Sequence, residues 1–199
     1  MEGTNPVNKK LAAALSGGAV LVLALSGCGG SSGDDTDAKL GSWAKQVCLA
    51  VQPQAKKIEA ANTAIQKETS DNSTPEQVRQ TDSQAFQDMS DAYKAIGAAV
   101  NSAGAPDVDN GATKQQNAVK ELNDISASYA ALKKQVDGLD IKDQAKFADG
   151  LKGIATSLDK LSTSGNDALK TLEEGDVGKA MTKQEACKSA SAAASSGTA

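Results

Sequence analysis

Apolar residues recur at alternating steps of three and four along most of the chain after residue 40. This spacing places them on one face of an α-helix, whereas a half-buried strand would alternate at every second residue. The pattern therefore predicts four long helices, each with one apolar stripe. The predicted stripes are Leu40, Trp43, Val47, Val51, Ile58, Ala61 and Ile65; Phe86, Met89, Tyr93, Ile96 and Val100; Ala118, Leu122, Ile125, Tyr129, Leu132 and Val136; and Phe147, Leu151, Ile154, Leu158, Leu161, Ala168 and Leu172.

Turn and cap residues separate these stripes. The segment Thr74-Pro75-Glu76-Gln77 is typical of a helix start, because Thr can cap, Pro suits the first turn and Gln completes a capping box. Gly104 and Gly138 are placed to end the second and third helices. Either Asp109 or Asn110 can cap the third helix.

The end of the chain predicts one more short helix. Gly175 can end the fourth helix, and Asp176 can cap a fifth segment that runs through Cys187. Short connections between long helices favour antiparallel neighbours. We therefore expect an all-α domain over residues 38–188: an antiparallel up-down-up-down four-helix bundle with a short C-terminal fifth helix. Residues 189–199 are small or polar and are predicted to be a disordered tail.

The first segment of the chain has a different pattern. Lys9 and Lys10 precede an apolar run of about 15 residues from Leu11 to Leu25, which is shorter than the roughly 20 residues of a membrane-spanning helix. A basic start, a short apolar middle and small residues at the end are typical of an export signal. We therefore expect this segment to direct export and then to be removed.

The signal ends in Leu25-Ser26-Gly27-Cys28, which resembles the bacterial lipobox. This resemblance implies diacylglyceryl transfer to the Cys28 thiol, cleavage before Cys28, and anchoring at the extracytoplasmic face of the cell membrane. The expected division is a lipoprotein signal peptide over 1–27 and a flexible tether over 28–37. The alternative is an ordinary secretory signal in which Cys28 is incidental.

Two further cysteines remain, Cys48 and Cys187. Disulfides persist in compartments outside the cytoplasm, so export favours a bond between them. This disulfide would attach the C-terminal segment to the first helix and would stabilise the domain by roughly 4–5 kcal/mol in the chain-entropy model. A catalytic thiol is the competing interpretation, but the chain has no histidine to activate one.

Composition excludes several classes of function. Histidine is absent, which removes the usual general base, the Ser-His-Asp arrangement and histidine-based metal sites. The net charge is −4 and Arg79 is the only arginine, which disfavours nucleic-acid binding. We expect no enzymatic activity, no cofactor, no metal and no nucleic-acid partner.

Two groups of residues are candidates for chemical sites. The carboxylate pairs Glu173-Glu174 and Asp140/Asp143 lie at predicted helix ends, where acids usually face solvent instead of converging in a cleft. The aromatic residues, only 3% of the chain, fall on the apolar stripes, so we expect core positions and not a ligand pocket.

The whole arrangement is similar to the small secreted lipoproteins of actinobacteria. The matching features are the lipobox at Cys28, the segment Trp43-Ala44-Lys45-Gln46-Val47-Cys48 soon after the tether, and Glu185-Ala186-Cys187-Lys188 near the end. Only the lipobox is a specific motif. The resemblance implies location and architecture, and it carries no catalytic residues across.

These observations lead to a hypothesis of function with alternatives. The leading hypothesis is a non-enzymatic envelope module that contacts an envelope protein or the cell wall. One alternative is a small-molecule or lipid carrier with an apolar cavity between helices; a proline and several small residues would leave room for it. Those residues are Pro53, Ala92, Ala99, Gly150 and Gly153. An accessory subunit of an envelope sensor or transporter is a further alternative.

Overall fold

The computed structural model describes residues 34–68, 73–163 and 167–188. Within these ranges the chain is helical and contains no strand, which confirms the all-α prediction. The helices are α1 (Asp34–Glu68), α2 (Pro75–Ala103), α3 (Gly111–Asp137), α4 (Gln144–Thr163), α5 (Asp167–Glu173) and α6 (Asp176–Thr182). The predicted signal peptide, Cys28 and the predicted tail lie outside the described residues.

The first helix differs from the prediction at its start and continues through a proline. Helix α1 begins at Asp34, so the last residues of the predicted tether over 28–37 are helical. The same helix continues through Pro53, which is exposed to solvent. Pro53 therefore lies on the outer side of α1 and opens no groove into the core.

The predicted fifth helix is divided. In the predicted fourth helix, α4 runs to Thr163 and α5 begins at Asp167, and residues 164–166 lie outside the described residues. Helix α6 ends at Thr182, and residues 185–188 form a separate helical turn. Gly175, with φ at 68°, precedes α6 as its N-cap, so the prediction that Asp176 caps this helix is wrong.

The other predicted caps are mostly confirmed. The Gln77 N–H donates to Thr74 Oγ1 at 3.2 Å, and the Thr74 N–H donates to Gln77 Oε1 at 2.9 Å, which completes the capping box of α2. Gly104 ends α2 with φ at 75°, a conformation that glycine adopts without strain. Asn110 precedes α3 in the left-handed region and makes no side-chain cap bond.

Helix α2 packs against both α1 and α3. Bonds from Ser83 to Asp137, from Ser90 to Ser126 and from Gln115 to Val100 follow opposite directions along α2 and α3, so these two helices are antiparallel. The later helices pack on this framework: α4 and α5 contact α3, and α6 contacts α1.

The predicted apolar stripes form the core. Every predicted residue of the second and third stripes is buried, and in the other stripes only Ile58 and Leu161 are partly exposed. Ala168 lies outside the residues whose side chains are described. All the aromatic residues are buried, as expected, and they are Trp43, Phe86, Tyr93, Tyr129 and Phe147.

Candidate functional site

The predicted disulfide between Cys48 and Cys187 is present, with the two Cα atoms 5.0 Å apart. It joins α1 to the helical turn over 185–188 across a sequence separation of 139 residues. Both cysteines are buried. Beside the bond, the Gln184 side-chain amide donates to the Gly41 carbonyl at 3.5 Å. The C-terminal segment is therefore attached to the first half of α1, as the sequence predicted.

The same end of the molecule contains two polar side chains with well-defined partners. The Trp43 indole N–H donates to the Gly104 carbonyl at 2.8 Å, which ties α1 to the turn after α2. The buried Gln115 amide lies 3.3 Å from the Val100 carbonyl and 3.4 Å from the Asn101 carbonyl. We call this region the stapled end, defined by Gly41, Trp43, Cys48, Gly104, Gln115 and Cys187.

The middle of the molecule is a tight contact between α2 and α3. Ser90 Oγ donates to the Ser126 carbonyl at 2.9 Å, and Ser126 Oγ donates to the Ser90 carbonyl at 2.8 Å. Next to this pair, the rings of Tyr93 and Tyr129 stack with centroids 5.5 Å apart. Burial raises the pKa of Tyr129 to about 12 and that of Tyr93 further, so both phenols stay neutral. These groups hold the helices together.

The opposite end of α2 contains a buried acid, Asp82, which is 5% exposed. No residue in the described part of the chain donates a hydrogen bond to its carboxylate or forms an ion pair with it. Burial, and to a smaller extent the nearby Glu68 carboxylate, raises the pKa of Asp82 to about 7. We call this region the far end, defined by Glu68, Asp82 and Asp137.

The sequence contained a signal for Asp82 that the stripe prediction did not use. Asp82 lies four residues before Phe86, so it continues the second apolar stripe by one helical turn. A polar residue at such a position is predicted to be buried. Gln115 continues the third stripe in the same way, three residues before Ala118.

The two predicted carboxylate pairs have separate structural surroundings. Asp143 accepts backbone hydrogen bonds from Ala145 and Lys146 at 3.1 Å, which caps α4 and lowers the pKa of Asp143. Burial raises the pKa of half-buried Glu173 to about 7, whereas Glu174 is exposed. Within the described ranges, no group of three or more Asp, Glu or Cys residues is arranged to hold a metal ion.

Three of the small residues expected to leave room for a cavity have filled space beside them or lie on the surface. The space next to Gly150 is filled by the Leu139 side chain, and Gly153 is exposed. Ala92 is fully buried in the core. These positions therefore give no observation in favour of the carrier alternative.

Comparisons with protein-family models, with curated proteins and with solved structures found no match to this chain. Among the described residues, no helix combines the length and the apolar character needed to cross a membrane.

Proposed function

We propose that this chain is a lipid-anchored, extracytoplasmic helical protein that acts as a non-enzymatic interaction module of the bacterial envelope. In this proposal Cys28 carries the lipid, and the partner is an envelope protein or the cell wall. The observation that carries the proposal is the buried Cys48–Cys187 disulfide. A structural disulfide of this kind is typical of exported proteins, because cytoplasmic thiols are kept reduced.

The disulfide supports the interpretation of the N-terminal segment. Export is what the lipobox-like Leu25-Ser26-Gly27-Cys28 implies, and a disulfide elsewhere in the chain fits the same compartment. The two features come from different residues and different physical arguments. Their agreement favours an exported chain, whereas the lipid on Cys28 rests on the lipobox resemblance alone.

The start of α1 limits how far the domain can lie from the proposed anchor. Helix α1 begins at Asp34, six residues after Cys28. A chain of that length spans at most about 20 Å, at about 3.3–3.6 Å per residue. The stapled end, which includes Gly41 and Cys48 of α1, is therefore proposed to lie nearest the membrane, with the far end directed outward.

We also propose that the long helices form an up-down-up-down bundle with the short C-terminal helix attached by the disulfide. The antiparallel contact of α2 with α3 supports this arrangement, as does the bond from Trp43 on α1 to Gly104 at the end of α2. The contact between α6 and α1 is consistent with the last element of the proposal.

The surface of the described part favours polar contacts with a partner. Among the described residues, Leu49, next to Cys48 in the sequence, is the one large apolar side chain that is exposed, at 54%. A single exposed leucine is ordinary for a soluble domain. Recognition of a partner is therefore proposed to use the charged and amide groups of the outer helix faces.

Native mass spectrometry of the protein, extracted gently from its own membrane, tests the anchor. We expect a mass that begins at Cys28, carries acyl chains, and lacks the hydrogens lost in forming one disulfide. An unacylated chain cleaved at another residue would contradict the lipid anchor. A bound small molecule or lipid released on activation would favour the carrier function instead.

Cross-linking in intact cells tests the interaction module. We expect repeated capture of the same envelope protein or cell-wall glycan by the wild-type chain. A Cys28→Ser variant with the same signal peptide is the matched control, since it keeps the domain but removes the proposed lipid site. Equal capture of many unrelated proteins by both chains would contradict a specific role at the membrane.

A further inference from the structure

Asp82 differs from the three other polar residues that are buried as a whole in the described part of the chain. Gln115, Ser90 and Ser126 are buried and each has a hydrogen-bond partner, whereas the Asp82 carboxylate has none within the part of the chain that the structure describes. Buried polar groups in native proteins nearly always have partners. An unpaired buried carboxylate is costly when ionised, and the cost falls sharply when it binds a proton.

The helix on one side of Asp82 does not supply a compensating cation. The charge of α1 that acts on Asp82 is the carboxylate of Glu68, at the last residue of the helix. Its neighbour Lys67 is exposed to solvent. The interaction from α1 is therefore repulsive whenever both acids are ionised.

The cations of α2 and α3 at this end are already paired or exposed. Arg79, one turn before Asp82, binds Glu76 with a separation of 2.9 Å. On α3, Lys133 binds Asp137 at 2.6 Å, and Lys134 is exposed. The neighbouring residue Ser83 also donates to Asp137, at 2.6 Å. Within the described ranges, no Lys or Arg forms an ion pair with the Asp82 or the Glu68 carboxylate.

We propose that Asp82 is a proton-operated latch that controls how firmly the last turns of α1 pack on α2. With a proton bound, Asp82 is a neutral core residue, and the apolar side chains of Ala61 and Ile65 stay packed in the core. Without the proton, the carboxylate draws in water and repels Glu68, so the last turns of α1 open more often. This proposal does not depend on the lipid anchor or on the interaction partner.

The direction of the pH effect follows from the raised pKa of Asp82, about 7. The opened form exposes the carboxyl to water, where its pKa returns towards 3.8. Between these values the packed form holds the proton and the opened form releases it. Opening therefore becomes more frequent as pH rises towards 7, by about tenfold for each pH unit at most.

Amide hydrogen exchange of the full chain, followed by NMR at pH 5.5 and pH 8 and corrected for intrinsic exchange, tests the latch. We expect protection at Ala61 and Ile65 to fall by about tenfold or more between the two pH values. Protection at Val47, in the stapled half of the same helix, is expected to fall only as far as the stability of the whole domain falls, and therefore less than at Ile65. An equal fall at Val47 and Ile65 would overturn a local latch.

Matched variants assign the effect to one carboxyl. Asp82→Asn keeps the shape but cannot ionise, so the pH dependence at Ile65 is expected to disappear. Asp91→Asn, on the exposed face of the same helix, is expected to keep it. Retention of the full pH dependence in Asp82→Asn, or its loss in Asp91→Asn, would overturn the proposal.

A direct titration of the wild-type chain covers the case in which Asp82→Asn does not fold. The carboxyl ¹³C shift of Asp82 is expected to titrate near neutral pH, and Glu68→Gln is expected to move the midpoint lower. A midpoint near 3.8 would overturn the latch, because the carboxylate would then be ionised throughout the tested range.

Discussion

The stapled end and the far end each contain a buried polar side chain, but among the described residues only the one at the stapled end has hydrogen-bond partners. At the stapled end, Gln115 lies on the apolar stripe of α3 and donates to carbonyls of Val100 and Asn101. At the far end, Asp82 lies on the apolar stripe of α2 and has no partner in the described residues. The two residues hold equivalent positions in the sequence pattern, at the start of a stripe. Their different outcomes depend on what the neighbouring backbone offers.

The difference has a simple chemical origin. The last carbonyls of a helix have no partner within that helix, so the end of α2 offers acceptors to a donor such as the Gln115 amide. Asp82 lies within α2, two turns from its start, where backbone N–H groups are already bonded to carbonyls of the preceding turn. A carboxylate can only accept hydrogen bonds, so the backbone around Asp82 offers it no free donor.

Removal of the disulfide gives the largest expected change and tests the stapled end. The double variant Cys48→Ala/Cys187→Ala is expected to lose about 4–5 kcal/mol of unfolding free energy, because the unfolded chain gains the freedom of a long open loop. Urea unfolding of the full chain measures the loss. The Cys28→Ser variant keeps the bond and is the matched control. An unchanged urea midpoint in the double variant would mean that the C-terminal segment adds little to the fold.

The far end predicts an unusual pH dependence of global stability. The raised pKa values of Asp82 and Glu173, each about 7, mean that the folded state holds protons that the unfolded state releases. Stability is therefore greatest below the unfolded pKa values and falls as pH rises towards 7, by up to about 1.4 kcal/mol per pH unit for each group. Urea unfolding at pH 5 and pH 8 measures the slope.

Single variants separate the two acids. Asp82→Asn and Glu173→Gln are each expected to remove part of the slope, and the double variant most of it. Measurements above pH 5 avoid the range in which Asp143, whose pKa is lowered, gains its proton. A stability that rises between pH 5 and pH 8 in the wild-type chain would contradict the predicted sign.

The sequence pattern was sufficient to predict which helix faces pack into the core, but it did not predict every helix end. Stripes such as Phe86 to Val100 identified the buried face, because burial of large apolar groups controls helix orientation. The Cys48–Cys187 pairing was also predictable, since only two cysteines remained after Cys28. The end of α6 at Thr182, before the separate helical turn over 185–188, was not predicted.

The polar contacts were harder to predict than the core. The bond from Trp43 to Gly104 joins residues 61 positions apart, and its geometry depends on where α2 ends relative to α1. The state of Asp82 depends on which cations at the far end are already paired. Such contacts are set by the assembled structure and not by the local sequence.

Trp43→Phe tests the hydrogen bond at the stapled end, with a smaller expected effect. The change keeps an aromatic ring in the core but leaves the Gly104 carbonyl without its 2.8 Å partner. We expect a loss of about 1–2 kcal/mol, from one hydrogen bond and some buried area. Phe147→Leu, a buried aromatic change on α4 without a hydrogen bond, is a useful comparison. A Trp43→Phe variant as stable as the wild type would show that water replaces the indole at this carbonyl.

The smallest predicted effect compares two glycines of α4. Gly153 is exposed with open space around it, so Gly153→Ala is expected to stabilise the chain by about 0.5–1 kcal/mol through helix propensity alone. At Gly150 a methyl group would meet the end of the Leu139 side chain, which belongs to the turn after α3. The end of the Leu139 side chain, which packs against the core, must then shift.

The difference between Gly150→Ala and Gly153→Ala measures how tightly the far end is packed. Both substitutions gain the same helix propensity, so that term cancels in the comparison. We expect Gly150→Ala to be less stable than Gly153→Ala by up to about 1 kcal/mol, because shifting the end of the Leu139 side chain loses some packing. Equal thermal and urea midpoints would mean that Leu139 moves aside without loss. The turn after α3 would then be loosely packed, and looseness at the far end would extend beyond Asp82 and the last turns of α1.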